Sequence, residues 1–189
     1  MNRIITDHVS DLLFAPTEES ADQLRTEGIS ESRIEITGNT IVDAVYQNKE
    51  IASEESKILS TLGIDDDFIL MTSHRAENVD SATTFKEILA GAAKAGELLD
   101  TEVLYPIHPR ARGNIDKFGL EIPERIRLLE PCDYLDFLML EMSASIILTD
   151  SGGVQEEACI LEVPCVTIRE HTERPETADV GANKVIGTE

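Results

Sequence analysis

The run TDSGGVQEEA, Thr149–Ala158, sets a serine and two glycines between an apolar segment and a helix-forming one. Two chemistries compete for it. Asp-Ser-Gly-Gly occurs in the nucleophile loop of chymotrypsin-like serine proteases, but that loop belongs to a β-barrel. Here apolar SIILT precedes the motif and a helical pattern follows it. A strand–turn–helix context places the amides of Gly152 and Gly153 at a helix N-terminus, where unpaired N–H groups and the positive dipole end cradle an anion. Ser151 is then an N-cap or a hydroxyl donor to phosphate, and glycine lets the backbone come close to a ligand. Glu156 complements the helix dipole in its plainer role, while Glu157, further along, reaches a sugar hydroxyl. Ser151 is read as a binding residue.

Other polar residues gather where apolar segments end. MTSHRAEN follows one such segment, YPIHPRAR the next, EPCDY the third, TDSGG the fourth and REHTERPE the fifth. His74, His108 and His171 all fall in these turns, which favours one shared site. Arg174 stands just before Pro175, a favoured first helical residue, and suits a phosphate or carboxylate clamp; a surface ion pair is its plainer role. Neither G-x-x-x-x-G-K-[ST] nor G-x-G-x-x-G follows a strand, so a Walker NTPase or an ordinary NAD site lacks support. Gly91 and Gly96 have P-loop spacing but lie inside a helical pattern.

Alternating strand and helix patterns must position these turns. LLFAPT, RIEITGN, FILMTSH, TEVLYPIH, IRLLEP, SIILTD, CVTIRE and NKVIG read as strands. EESADQLRTEG, TIVDAVYQNKE, ASEESKILSTLG, SATTFKEILAGAAKAGELL, PRARGNIDKFG, DYLDFLMLEMSA, GGVQEEACILE and RPETADVG read as helices, with Gly63 as a C-cap. The strands are apolar throughout, as when helices cover both faces of a sheet. Repeated alternation implies right-handed crossovers and an α/β fold with a doubly wound parallel sheet. Ligands of such sheets bind beyond the carboxyl ends of the strands, where the polar turns lie. The acidic SEESKILSTLGIDDD is a solvated face or a connection into the regular α/β series.

The 189 residues include 41% hydrophobic and 28% charged positions, enough for a packed core under a soluble surface. Acidic residues number 37 against 16 basic ones, a net charge of −21. That field repels nucleic acid and anionic lipid, so neither is expected as a partner, and an anion site must gather its Arg and His residues locally. An ordinary acidic enzyme and a halophilic, salt-adapted one both fit the excess. No apolar run reaches the length of a membrane span and no leader pattern is present, which points to the cytoplasm. Cys132, Cys159 and Cys165 lack C-x-x-C spacing, suggest neither disulfides nor a metal site, and read as buried thiols.

NRIITDHVSDLLFAPTE, ITGNTIVDAV, TSHRAEN, YPIHPRAR, EPCDYLDFLML, TDSGGVQEEA and REHTERPE occur in the order found in non-hydrolysing UDP-N-acetylglucosamine 2-epimerases. The chain resembles that family over essentially its whole length, and its last two motifs together are highly specific. The resemblance implies one half of a GT-B fold, the C-terminal Rossmann-like UDP-binding half, with 1–64 as hinge segment and start of that half and 65–189 as the UDP-binding domain. The family's N-terminal nucleotide-sugar domain, with its catalytic carboxylates, would precede Met1, and its closing segment would extend past Glu189. Such enzymes interconvert UDP-N-acetylglucosamine and UDP-N-acetylmannosamine for cell-surface polysaccharide biosynthesis. They use no cofactor, and the full-length family member is a homodimer.

The resemblance further assigns Ser151, Gly152 and Gly153 to the diphosphate, Glu157 to the ribose hydroxyls, Phe137 to the uracil and Arg174 to the phosphates. His74 matches the family's active-site histidine. Arg75 and His108 fall where ligand is contacted at the cleft, including a second, regulatory nucleotide-sugar. Asn2 and Arg3 match the motif after a catalytic glutamate, and His8 is structural. A GT-B glycosyltransferase donor domain, a hydrolysing epimerase and a non-catalytic nucleotide-binding module stay open as alternatives, although HTERPE argues against the transferase.

Overall fold

The computed structural model describes residues 2–188; Met1 and Glu189 lie outside them. The chain forms two compact units that divide between Ala44 and Val45. In the first, α1 (Asn2–Val9) precedes β1 (Leu13–Ala15), α2 (Glu18–Thr26), a 3-10 turn (Glu31–Arg33) and β2 (Ile34–Ile36). β1 and β2 pair in parallel, Leu13 opposite Ile34, and a small core of Leu13, Ala15, Ala21, Leu24, Ile29 and Ile34 closes over them. Thr17 caps α2 by accepting from the Ser20 amide. The Arg33 guanidinium donates to the carbonyls of Asp7, His8 and Ser10, which ties the end of α1 to β2. His8 sits within α1 with Nδ1 2.9 Å from the Ile4 carbonyl oxygen.

α3 (Thr40–Glu55) crosses the division and runs five residues past the break that the sequence suggests after Glu50. Nothing between Glu50 and Ile51 stops a helix. The chain turns instead at Ser56, whose hydroxyl donates to Asp136 at 2.6 Å and accepts from the Ile58 amide at 3.3 Å. α4 (Ile58–Leu62) then ends at Gly63, left-handed at φ 65° as a C-cap requires. Ile58, Leu59, Leu62 and Ile64 pack onto the core of the second unit.

That unit continues with β3 (Phe68–Thr72), α5 (Ala76–Val79), α6 (Ala82–Leu99), β4 (Glu102–Pro106), α7 (Pro109–Phe118), β5 (Ile126–Leu129) and α8 (Tyr134–Ser143). It closes with β6 (Ile146–Thr149), α9 (Gly152–Ile160), β7 (Cys165–Thr167), α10 (Pro175–Asp179) and β8 (Asn183–Val185). α1 and α5 are helices that the sequence reading does not contain; α5, at four residues, is too short to show a period.

The described strands of this unit form a six-stranded parallel sheet in the order β5-β4-β3-β6-β7-β8, with Leu70 level with Leu104 on one side and Ile147 on the other. Successive side chains of a strand point to opposite faces. Ile69, Met71, Val103, Tyr105 and Leu148 therefore enter one core with α6 and α7, while Phe68, Leu70, Leu104 and Ile147 enter a second with α8 and α9. Both faces are covered, which accounts for the uninterrupted apolar runs.

Gly96 owes its place to packing. A Cβ there would lie 2.9 Å from the Thr101 carbonyl oxygen and 3.1 Å from a Val103 methyl, so α6 can seat against β4 only with glycine. The P-loop-like spacing of Gly91 and Gly96 is unrelated to phosphate.

The strand order places β3 and β6 side by side with their following helices on opposite faces. A crevice opens beyond their carboxyl ends at this switch point.

Candidate functional site

His74 leaves the end of β3 and Ser151 the end of β6, so the switch point brings them to one cleft of about 360 Å³. Its wall also includes His108, Phe137 and Cys132. Beneath lies Asp150, fully buried, which the sequence reading passes over. Its carboxylate accepts from the amides of His74 and Arg75, each at 2.9 Å, and from Ser73 Oγ and Asn78 Nδ2, each at 3.0 Å. His74 Nδ1 stands 3.0 Å from Asp150 Oδ1, so Nδ1 carries a proton directed at the carboxylate. Burial works to raise the Asp150 pKa, but the His74 ring and the two amides outweigh it and hold the carboxyl below its ordinary value. A buried anion thus orients the imidazole and leaves Nε2 for a ligand.

Ser151 is the N-cap of α9 by backbone conformation, yet its hydroxyl makes no capping bond, and its own amide donates to Thr149 Oγ1 at 2.9 Å. Gly152 and Gly153 form the first turn of α9. Neither has a positive φ, so close approach and not backbone strain is the reason for glycine. A Cβ on Gly152 would meet Glu173 Oε2 at 3.2 Å, whereas one on Gly153 would meet only Ser151 Oγ at 3.9 Å.

The arginines around this turn are each paired with a carboxylate. Arg75 forms a fork with Glu173, at 3.2 and 3.0 Å, and its Nε donates to the Asp150 carbonyl at 3.2 Å. Arg169 binds the same Glu173 at 2.9 Å, and Arg169, then Arg75, lower the Glu173 pKa against the effect of burial. Arg174 Nε lies 2.8 Å from Glu156 Oε1, although not aligned for a hydrogen bond. Glu156 therefore serves an ion pair across to the REHTERPE loop, besides any contact with the dipole. That loop is set by Thr172, which donates to the buried Gln155 and accepts from the Arg174 amide, and by Thr177, which donates to the Arg174 carbonyl at 2.8 Å.

His108 is the N-cap of α7, its Nδ1 accepting from the Arg110 amide at 3.1 Å, and its ring centre stands 5.8 Å from that of His74. Phe137 rises from the first turns of α8 as a part-buried ring in the cleft wall. Glu157, on α9, is almost buried; burial raises its pKa, and the Tyr134 hydroxyl acts against that rise. His171 is exposed and is not among the residues lining the cleft. Cys165 is buried while Cys132 and Cys159 are half-buried; burial pushes the Cys132 thiol up to about 11 and the Cys165 thiol up to about 12. Asn2 and Arg3 lie in α1, where Arg3 pairs with Asp7 and Glu27.

Asp150, Asn78 and Arg169 are the residues that sequence reasoning missed here. A carboxylate directly after an apolar central strand, in TDSGG, was the available signal for the first.

No helix among the described residues is long and apolar enough to cross a membrane. The chain is 49% identical over 194 residues to UDP-N-acetylglucosamine 2-epimerase of Methanocaldococcus jannaschii, covering 99% of this chain and 53% of that protein. Identity to the enzyme of the same name from Methanococcus maripaludis is 45% over 195 residues, covering 100% of this chain and 53% of that protein. The crystal structure of the M. jannaschii UDP-GlcNAc 2-epimerase in complex with UDP-GlcNAc and UDP superposes with a TM-score of 0.92 at 48% identity, covering 99% of this chain and 53% of that one. The chain spans about half the length of the curated relatives it matches. The fold is that of the C-terminal half of these GT-B proteins. With the sequence model described as UDP-N-acetylglucosamine 2-epimerase matching residues 1–189, this chain belongs to the UDP-N-acetylglucosamine 2-epimerase family.

Proposed function

We propose that this chain is the UDP-binding half of an isomerase that interconverts UDP-N-acetylglucosamine and UDP-N-acetylmannosamine by anti elimination of UDP to 2-acetamidoglucal and its re-addition. One observation carries the reading: the free helix start at Ser151, Gly152 and Gly153 meets His74, anchored on Asp150, at the switch point of the sheet. The diphosphate is the leaving group, so the helix amides are placed to stabilise charge as it develops. Arg75 and Arg174 exchange carboxylate partners for phosphate oxygens, a charge-assisted contact of the same geometry. With Nδ1–H on Asp150, His74 in its imidazolium form donates from Nε2–H to the departing phosphate.

Phe137 stacks beside the uracil, Glu157 takes the ribose hydroxyls, and Arg75 with His108 contacts ligand at the cleft mouth, including a second, regulatory nucleotide-sugar. UDP stays bound between the two steps, which a deep nucleotide cradle on this half supports. The base that removes the C2 proton belongs to the half of the relatives that this chain does not span. Residues 1–64 form the hinge and the start of this half, and 65–189 the UDP-binding domain. The whole protein is read as a cytoplasmic homodimer whose product feeds cell-surface polysaccharide assembly, its acidic surface as salt adaptation.

Calorimetry with UDP, UMP and uridine tests the core of this reading. The chain should bind UDP roughly ten- to a hundredfold more tightly than uridine, because charge-assisted phosphate contacts dominate. Equal affinities for UDP and uridine would contradict it.

A further inference from the structure

Away from the phosphate end of the site, α8 and α9 bring two acids together. Glu141, on α8, is 0% exposed, and neither of its carboxyl oxygens receives a hydrogen bond from a donor among the described residues. The polar group that bears on it is the carboxyl of Glu157 on α9, itself 8% exposed, with the Tyr134 hydroxyl as a further neighbour. Two ionised carboxylates repel at that range, and burial strengthens the repulsion. The contact becomes a hydrogen bond only if one acid keeps its proton, since an ionised carboxylate can only accept.

Asymmetry decides which acid that is. Burial, then the Glu157 carboxyl, push Glu141 well above the usual carboxylate range. Burial raises Glu157 as well, but the Tyr134 hydroxyl opposes this by donating to its ionised form. Around the pair, Cys132 is raised to about 11, and Cys165 and Tyr134 to about 12, in each case first by burial, so all three are neutral at pH 7. Glu156 also bears on Glu157 and lies 2.8 Å from Arg174.

We propose that Glu141, buried with both carboxyl oxygens otherwise unpartnered among the described residues, is a positioning residue that donates a hydrogen bond to Glu157, fixing the carboxylate that meets the ribose hydroxyls. The proposal rests on the reading of Glu157 as the ribose ligand. With Tyr134 donating from one helix position and Glu141 from another, Glu157 keeps its charge and one orientation. Its remaining acceptor capacity is then turned to the small part of its surface that is open.

Two measurements test this. The first needs no ligand: infrared difference spectra between the wild-type chain and Glu141→Gln in deuterated buffer at neutral pH. The carbonyl band of a protonated carboxylic acid should be present in wild type and lost in the variant. Its absence from wild type, or its persistence in Glu141→Gln, overturns the proposal.

The second is calorimetry with UDP and 2′-deoxy-UDP on wild type, Glu141→Gln and Glu141→Met. Glutamine keeps a donor, so its preference for UDP should stay within about threefold of wild type, while methionine should lose about tenfold of that preference. A methionine variant that discriminates like wild type, or a glutamine variant as impaired as methionine, overturns the proposal. If wild type binds UDP and 2′-deoxy-UDP equally, the ribose reading of Glu157 fails and the positioning role with it. Failure to bind UDP at all refutes the proposed function, and the infrared result still decides where the proton resides.

Discussion

Asp150→Ala should lower the stability of the chain by about 3–5 kcal/mol, because it strips a buried acceptor from a ring of donors. Ser73 and Asn78 are themselves fully buried, so water cannot replace the lost partner. The amides of His74 and Arg75 lose their acceptor too, and with it goes the tie between the turns that follow β3 and β6. The sign of the pH dependence follows from the depressed pKa of Asp150. Its contribution is fully present above the ordinary carboxylate pKa and is lost as pH falls through the lower folded value. Urea unfolding from neutral to acid pH should therefore show wild type converging on Asp150→Asn as the buffer is acidified. A penalty for Asp150→Ala below about 1 kcal/mol at neutral pH would mean that the ring of donors contributes little.

In deuterated water the chain by itself should leave C2 of UDP-N-acetylglucosamine unexchanged. Elimination needs a base at C2 and a poised leaving group, and the proposed function gives the groups assembled here the second task. Joined to the half of a relative that it does not span, the chain should incorporate deuterium at C2, and NMR of the sugar reads this directly. In that joined enzyme His74→Ala should slow exchange about 10²–10⁴-fold, the range for losing a positioned proton donor or acceptor. Arg174→Ala should reduce the rate far more than it reduces stability. Its pairing with Glu156 is partly exposed, and such pairs contribute about 0–1 kcal/mol. The products separate the remaining alternatives: UDP-N-acetylmannosamine for an epimerase, free sugar with UDP for a hydrolysing enzyme. Exchange catalysed by the chain alone would show that the C2 base is present on this half and that the roles are wrongly divided.

The sheet was legible from local sequence because its strands are buried on both faces and bounded by turns, so each apolar run announces itself. The turn at Ser151, Gly152 and Gly153 was legible as a helix start for a similar reason. Strand, Ser-Gly-Gly and helix are contiguous, and the helix start follows from that order alone. What stayed hidden depends on pairs distant in the chain. His74 and Asp150 are 76 positions apart and meet only because β3 and β6 are neighbours, which no local period shows. Glu141 was hidden by its own helix: in YLDFLMLEMS it reads, like Asp136, as a polar residue among apolar ones, and only packing reveals that it faces inward. Arg174 stood out by its place before Pro175, but its pairing with Glu156 was not legible. The length of α3 was misread because the acidic stretch after Glu50 contains no residue that either stops or requires a helix.

The central claim is that the start of α9 holds the diphosphate of UDP beside His74. The most direct test is a titration of UDP into the isotopically labelled chain, with the backbone amides of Gly152 and Gly153, the His74 imidazole and the Phe137 ring followed by NMR. The account predicts large, saturable shifts at both glycine amides together with His74 and Phe137, with uridine moving Phe137 but leaving the glycine amides nearly still. Saturable UDP binding that shifts resonances elsewhere and leaves Gly152 and Gly153 unmoved would contradict it.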